Sequence, residues 1–256
     1  MPRSHDHAVN RSVLILGATS SVARAIATEF ARLGFAVGLA GRRPEALTAL
    51  AGDLRIRYAA ACHVLPFDAT AFDDHAAFVQ QAAAAFGELP EGVVACFGQM
   101  VETPDARQDF APVRRMVEAN LAGTASILDA FAAAFEPRRR GFLAAITSVA
   151  GDRGRKGNYL YGASKAGLSV FLQGLRHRLH PAGIDVTDIR PGFMDTPMTY
   201  GRKLPAPLVA SLEDAAAAAV RGVLAGRPVV YVPWFWRYVM FLVRNMPGFI
   251  FNRMDF

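Results

Sequence analysis

Short apolar runs alternate with longer amphipathic stretches along the whole chain. Ser12–Leu16 is apolar, partly β-branched and ends at Gly17, so it reads as a strand buried on both faces. Val22–Leu33 has helical periodicity and stops at Gly34. The same pairing recurs. Further strands are predicted at Phe35–Ala40, Cys62–Phe67, Gly92–Phe97, Phe142–Thr147, Ile184–Ile189 and Pro228–Val232. Helices are predicted at Pro44–Arg57, Phe72–Phe86, Val113–Phe135, from around Tyr161 to His180, and at Glu213–Leu224. Strands that alternate with helices predict an α/β fold: a doubly wound, seven-stranded parallel sheet flanked by helices. Pro137–Gly141 reads as a basic turn. Met194–Leu212 is irregular and holds Pro197, Pro205 and Pro207, with the length and place of a lid over the strand ends. No repeat or linker divides the chain. The expectation is one domain over 1–256, with a core at 10–233, a lid at 194–212 and an apolar C-terminal extension at 234–256.

Composition narrows this picture. Hydrophobic residues make up 52% of the 256, which excludes a disordered tail-like protein and supplies an ample core. The net charge of +6 is scattered apart from Arg138–Arg140 and the Arg153, Arg155, Lys156 group. Both groups fit solvated loops, and no nucleic-acid module accompanies them, so no nucleic-acid partner is expected. Cys62 and Cys96 lack metal-ligand spacing, so no metal is expected and a reducing compartment fits. Met1–Asn10 is polar, without the apolar stretch of a signal peptide. A cytoplasmic location follows as an expectation.

The candidate chemistry lies at Ser148, Tyr161 and Lys165. Tyr161 and Lys165 are four residues apart, which on a helix puts them on one face. A free phenol titrates near pH ~10. A neighbouring ammonium favours the phenolate and makes the phenol a usable acid or base. Ser148 ends a predicted strand thirteen residues earlier, where its hydroxyl can hold a substrate oxygen beside that phenol. Reversible hydride chemistry at a carbonyl needs such a group at oxygen.

A dinucleotide site needs a strand, a tight small-residue turn and a helix N-terminus aimed at pyrophosphate. Gly17–Ala23 has that context, with Gly17, Thr19, Ser20, Ser21 and Val22 as cofactor-facing candidates. Its Gly-x-x-x-Ser-x-Ala pattern replaces the usual later glycines. The second strand ends in Gly41-Arg42-Arg43, where an NAD site would place an acid. Guanidiniums bind a phosphate bidentately, so NADP(H) is expected over NAD(H), with Arg42 the first choice and Arg43 the second. Asp68, with Ala69 beside it, is placed for the adenine amino group or as the cap of the next helix.

The chain resembles the short-chain dehydrogenase/reductase family from Gly17 to about Pro233. The matching pieces are the Gly17 loop, Asp68, Asn120 in Glu118-Ala119-Asn120-Leu121, Ser148, Tyr161-x-x-x-Lys165, and Pro191-Gly192 with Thr196. The resemblance implies a Rossmann fold, with Tyr161 as general acid/base and Ser148 orienting the substrate oxygen. It also implies that Lys165 lowers the tyrosine pKa and binds the nicotinamide ribose. Asn120 would hold a relay water, and Pro191, Gly192 and Thr196 would pack the nicotinamide. A homodimer or homotetramer is implied as well. The family's Asn-Asn-Ala-Gly is here Ala95-Cys96-Phe97-Gly98. Only Gly98 survives as a cofactor-binding candidate, the asparagine bracing is lost, and Phe97 is expected to crowd the adenosine ribose.

The C-terminal stretch Val229–Phe251 holds both tryptophans. Arg237, Arg244 and two prolines interrupt it, which excludes a membrane-spanning helix. The two arginines share a helical face, and the remaining faces are apolar and aromatic. Either a membrane-interface helix, giving peripheral contact at the inner face, or a helix buried in an oligomer or lid fits. The Tyr-x-Pro-Trp-x-Trp ending resembles the subgroup that includes the decaprenylphosphoryl 2-keto-pentose reductases, which implies a bulky or lipid-linked keto sugar. The expected activity is NADP(H)-dependent oxidoreduction of a ketone or secondary alcohol. A soluble carbonyl or 3-oxoacyl reductase is the alternative enzyme. A non-catalytic NADP(H)-binding regulator is the alternative from another class, and retention of both Tyr161 and Lys165 speaks against it.

Overall fold

The computed structural model describes residues 11–101, 109–194 and 209–254. The main sheet is built from β1 (Ser12–Leu16), β2 (Ala36–Gly41), β3 (Cys62–Pro66), β4 (Gly92–Ala95), β5 (Phe142–Ile146), β6 (Asp185–Pro191) and β9 (Val229–Val232). All neighbours pair in parallel, in the order β3-β2-β1-β4-β5-β6-β9. The order reverses between β1 and β4, and a crevice opens at such a switch point beyond the strand C-termini. A two-residue pair, β7 (Phe193–Met194) with β8 (Val209–Ala210), follows β6.

Helices cover both faces. One apolar layer joins α1 (Ser21–Arg32), α2 (Glu45–Tyr58) and α7 (Leu212–Leu224) to the sheet; the other joins α3 (His75–Phe86), α5 (Thr124–Arg138) and α6 (Tyr159–Leu179). Strands buried on both sides explain the near-continuous apolar runs. Local chemistry sets the starts: Ser20 caps α1 by accepting from the Ala23 amide at 3.1 Å, and Ser211 caps α7 by accepting from Asp214 at 3.1 Å.

Three predicted elements need correction. The helix predicted at Val113–Phe135 is three pieces: α4 (Ala111–Val117), a π-helical segment Glu118–Gly123, and α5. The wide turn accommodates Asn120, whose side chain is bound to a neighbouring loop. It also accommodates Gly123, where a Cβ would strike the Ala69 carbonyl. The basic turn begins later than predicted, because α5 carries Pro137 in its last turn and reverses at Arg139, φ 53°. The fourth strand stops at Ala95, so Cys96–Gly98 belong to the loop over the crevice.

The basic cluster has structural roles. Arg138 donates to the Leu89 and Pro90 carbonyls at 2.6 and 2.8 Å, and Arg139 donates to the Pro181 carbonyl at 2.6 Å. After β9 come α8 (Trp236–Asn245) and the single turn α9 (Gly248–Phe251). Among the described residues no helix is long and apolar enough to cross a membrane. Most of the predicted lid, with Thr196, lies outside the described residues.

Candidate active site

The site is assembled where α6 passes the turn after β5. Ser148 precedes a 3₁₀ turn (Val149–Gly151) and caps it by accepting from the Ala150 amide at 3.1 Å. Two glycines let the turn and the helix meet backbone to backbone. A Cβ on Gly162 would sit 2.7 Å from the Ala150 carbonyl, and one on Gly151 would sit 2.8 Å from the Ala166 amide. This contact brings the Ser148 hydroxyl close enough to the Tyr161 phenol to act on its pKa, although thirteen residues separate them.

Tyr161 and Lys165 are both buried on the same face of α6. The expectation that the ammonium lowers the tyrosine pKa needs correction for this state. Burial dominates and pushes the phenol up, opposed by the Ser148 hydrogen bond. The physical reason is direction: Lys165 Nζ donates to the Ile146 carbonyl at 2.9 Å and lies 5.9 Å from the tyrosine ring centre. Burial pushes Lys165 down to about 8, against the attraction of Asp188 and then Cys96.

This sets a pH dependence. Lys165 is charged below about pH 8 in the folded protein, whereas an unfolded lysine titrates near ~10.4. A rate that needs the charge should therefore fall on the alkaline side with a midpoint near 8, measurable as log kcat/KM against pH. Between the two values the unfolded chain binds more protons, so this group's contribution to stability rises with pH across that window.

Asn120 is fully buried in the π-helical segment. Its Oδ1 accepts from the Gln99 amide at 2.8 Å. Its Nδ2 donates to the Gln99 carbonyl at 2.8 Å and to Ser164 Oγ at 3.2 Å. Asn120 thus braces the Gly98–Gln99 loop. A Cβ on Gly98 would lie 3.1 Å from Lys165 Nζ and 3.4 Å from Asn120 Oδ1, so the glycine keeps the space between these two polar atoms clear.

Beneath Lys165 runs a charge network that the apolar reading of β6 missed. Buried Asp188 accepts from the Thr147 hydroxyl and from Arg190, with an Arg190 Nη2 contact of 2.7 Å. Arg190 also reaches Asp152 at 2.7 Å, just after the Ser148 turn, and the Tyr231 hydroxyl at 3.2 Å. Tyr231 in turn donates to Asp152 at 2.8 Å. Two ionisable residues at alternate positions of a central strand were the available signal.

On the nucleotide side, Gly17 has φ 77°, and a Cβ there would lie 2.6 Å from Phe97 Cβ. Only glycine suits that turn. Phe97 therefore abuts the loop, with its ring 5.8 Å from Phe67, and Phe67 lines a cavity of about 540 Å³. Arg42, Asp68 and His75 also line that cavity; Arg43 does not. Asp68 is not the cap of the next helix. Its carboxylate accepts from the Thr70 amide at 2.9 Å and the Thr70 hydroxyl at 2.8 Å. Burial raises its pKa, but those bonds and Arg42 outweigh that and hold it low. The N-terminus of α1 and the Gly17 turn suit the pyrophosphate of a dinucleotide. At the other end Gly192 lies against the Trp236 indole, where no side chain fits.

Fold and site together define a dinucleotide-dependent oxidoreductase. The short chain dehydrogenase model matches residues 11–204, and the chain belongs to that family. It is similar to an uncharacterized oxidoreductase of Mycobacterium tuberculosis, at 36% identity over 94% of this chain and 96% of the relative. A Myxococcus xanthus oxidoreductase is 33% identical over 94% of this chain and 95% of its own. Among solved structures, a short-chain dehydrogenase from Sphingobium yanoikuyae in complex with NADPH superposes with TM-score 0.77. That pair shares 25% identity over 95% of this chain and 96% of the other. A bulky-bulky ketone specific alcohol dehydrogenase from Comamonas testosteroni gives 0.75 at 25% identity over 96% and 95%.

Proposed function

We propose that this protein is an NADP(H)-dependent reductase of a bulky ketone, or the dehydrogenase of the corresponding secondary alcohol. The observation that carries this reading is the placing of Tyr161 and Lys165, both buried, on one face of the helix with the Ser148 hydroxyl near enough to act on the phenol. NADP(H), when bound, supplies or takes the hydride. Tyr161 gives its phenolic proton to the carbonyl oxygen, and Ser148 holds that oxygen beside the phenol. Lys165, on the same helix face with its ammonium turned to the Ile146 carbonyl, is placed to hold the nicotinamide ribose rather than to set the phenol pKa. The gap between Lys165 Nζ and Asn120 Oδ1 over Gly98 suits a water that returns the proton. Thr196 is proposed with Pro191 and Gly192 at the nicotinamide on the strength of the sequence pattern alone.

The cofactor preference rests on Arg42, which shares the adenosine-side cavity with Asp68. A charge-assisted hydrogen bond is worth about 1.5–3 kcal/mol, so Arg42→Ala should lower the NADPH-over-NADH preference by roughly tenfold to hundredfold. The ratio of kcat/KM values for the two cofactors measures it. A wild type that uses NADH equally well would sink this part of the proposal.

The preference for a bulky substrate rests on the apolar wall beside Ser148, formed by Val149, Phe193, Trp236 and Met240. It also draws on the bulky-ketone specificity named for the Comamonas enzyme. A lipid-linked keto sugar is the extreme case of such a substrate. A series of ketones of growing apolar size, assayed by NADPH oxidation, tests it. Rates that fall steadily with size would favour an ordinary small-carbonyl reductase.

A further inference from the structure

We propose that the outward face of α8 and α9 docks on an anionic lipid bilayer. The two helices divide their residues sharply. Trp236 and Met240 face inward and pack on Val149 of the catalytic turn. The opposite side exposes Trp234 (72%), Phe241 (66%), Leu242 (68%) and Phe249 (69%), with Tyr238 and Ile250 beside them. Of the thirteen large apolar residues exposed among the described residues, seven lie between 234 and 254. A concentration of this kind marks an interaction surface rather than scattered exposure.

Charge selects the occupant. Arg237, Arg244 and Arg253 are exposed among these aromatics, and the sequence has no acidic residue between Asp214 and Asp255. Arg237 and Arg244 are seven residues apart, two turns along one edge of the apolar face. If a second copy covered the face across a two-fold axis, the same arginine-bearing surface would meet itself, with Asp255 as the one acidic side chain of the stretch to set against three arginines. An anionic bilayer reverses that sign: phosphates take the arginines, and the aromatic rings enter the headgroup and acyl boundary.

The platform is also fixed in place. Arg153, on the loop after Ser148, donates to the Val243 carbonyl and to the Met246 carbonyl at 2.7 Å. Its guanidinium lies 3.8 Å from the centre of the Phe251 ring. A surface held rigidly before binding loses little ordering entropy on docking. The inference does not depend on the reaction assigned above.

Cosedimentation of the full-length protein with vesicles tests it. One set is phosphatidylcholine, and the other contains a third phosphatidylglycerol. Each arginine near an anionic surface is worth about fivefold in partitioning. The wild type should therefore bind the anionic vesicles at least about tenfold better than the neutral ones, and high salt should remove the difference. Arg237→Glu/Arg244→Glu should abolish the preference, and Phe241→Ser/Leu242→Ser should weaken binding to both sets. Trp234 emission should shift to the blue on binding. The inference is overturned if the wild type ignores anionic vesicles, or if salt has no effect on its partitioning. It is equally overturned if the serine variant changes oligomeric state while binding vesicles normally, for then the face is a subunit interface. Should a variant fail to fold, the salt series on the wild type decides by itself.

Discussion

Tyr161→Phe is expected to lower kcat by roughly a thousandfold, within the range of ~10²–10⁴ contributed by a positioned acid or base. The substitution removes one oxygen from a buried ring that packs among Val113, Met116 and Ala150, so the packing survives. The Ser148 hydroxyl loses its partner but keeps the Ala150 amide. NADPH binding, read by fluorescence titration, should change little. Loss of turnover without loss of cofactor affinity separates a proton-transfer role from a structural one. Turnover equal to wild type would mean that the proton comes from elsewhere.

Arg190→Met is the substitution expected to cost most in stability. Arg190 lies between two buried carboxylates, Asp188 and Asp152, and its removal takes away the one side chain in ion-pair contact with both, leaving only the more distant charges of Lys165, Arg176 and Arg155. Breaking a buried pair in this way costs about 3–5 kcal/mol. For a chain of this length, that should lower the melting temperature by about 6 °C or more. Thr147 and Tyr231 still donate to the carboxylates, which keeps the cost from being larger. Asp188→Asn makes a more informative companion. Asp188 raises the Lys165 pKa against the effect of burial. Its neutralisation should move the alkaline limb of the pH–rate profile to lower pH. An unmoved limb would show that Asp188 serves packing only.

The strands, most helices and the tyrosine–lysine pair were legible because they depend on local pattern. Periodicity of two against 3.6, a capping serine and an offset of four are properties of neighbouring residues. The features that escaped depend on partners far along the chain. The π-helical segment exists because Asn120 binds Gln99 and because Gly123 lies under the Ala69 carbonyl, contacts 21 and 54 residues away. Nothing in Glu118–Gly123 itself breaks helical periodicity. Asp188 and Arg190 are similar. Asp188 lies inside the predicted strand and Arg190 just beyond it, and only the folded sheet shows that Thr147 and Asp152 meet them. The tyrosine environment was misread for a related reason, because spacing gives the face of a helix but not the direction a lysine ammonium takes. The tail had apolar residues on more than one face, so periodicity alone left its packed side undecided.

The Arg153 clamp has a consequence for the end of the chain. It ties the last two helices to the loop that follows Ser148, and Trp236 packs on Val149 beside that serine. The C-terminus is therefore machinery rather than a free handle. A truncation beyond Pro233, or a bulky tag crowded against α9, would register in an assay as failed chemistry although every residue that touches the proton remained in place.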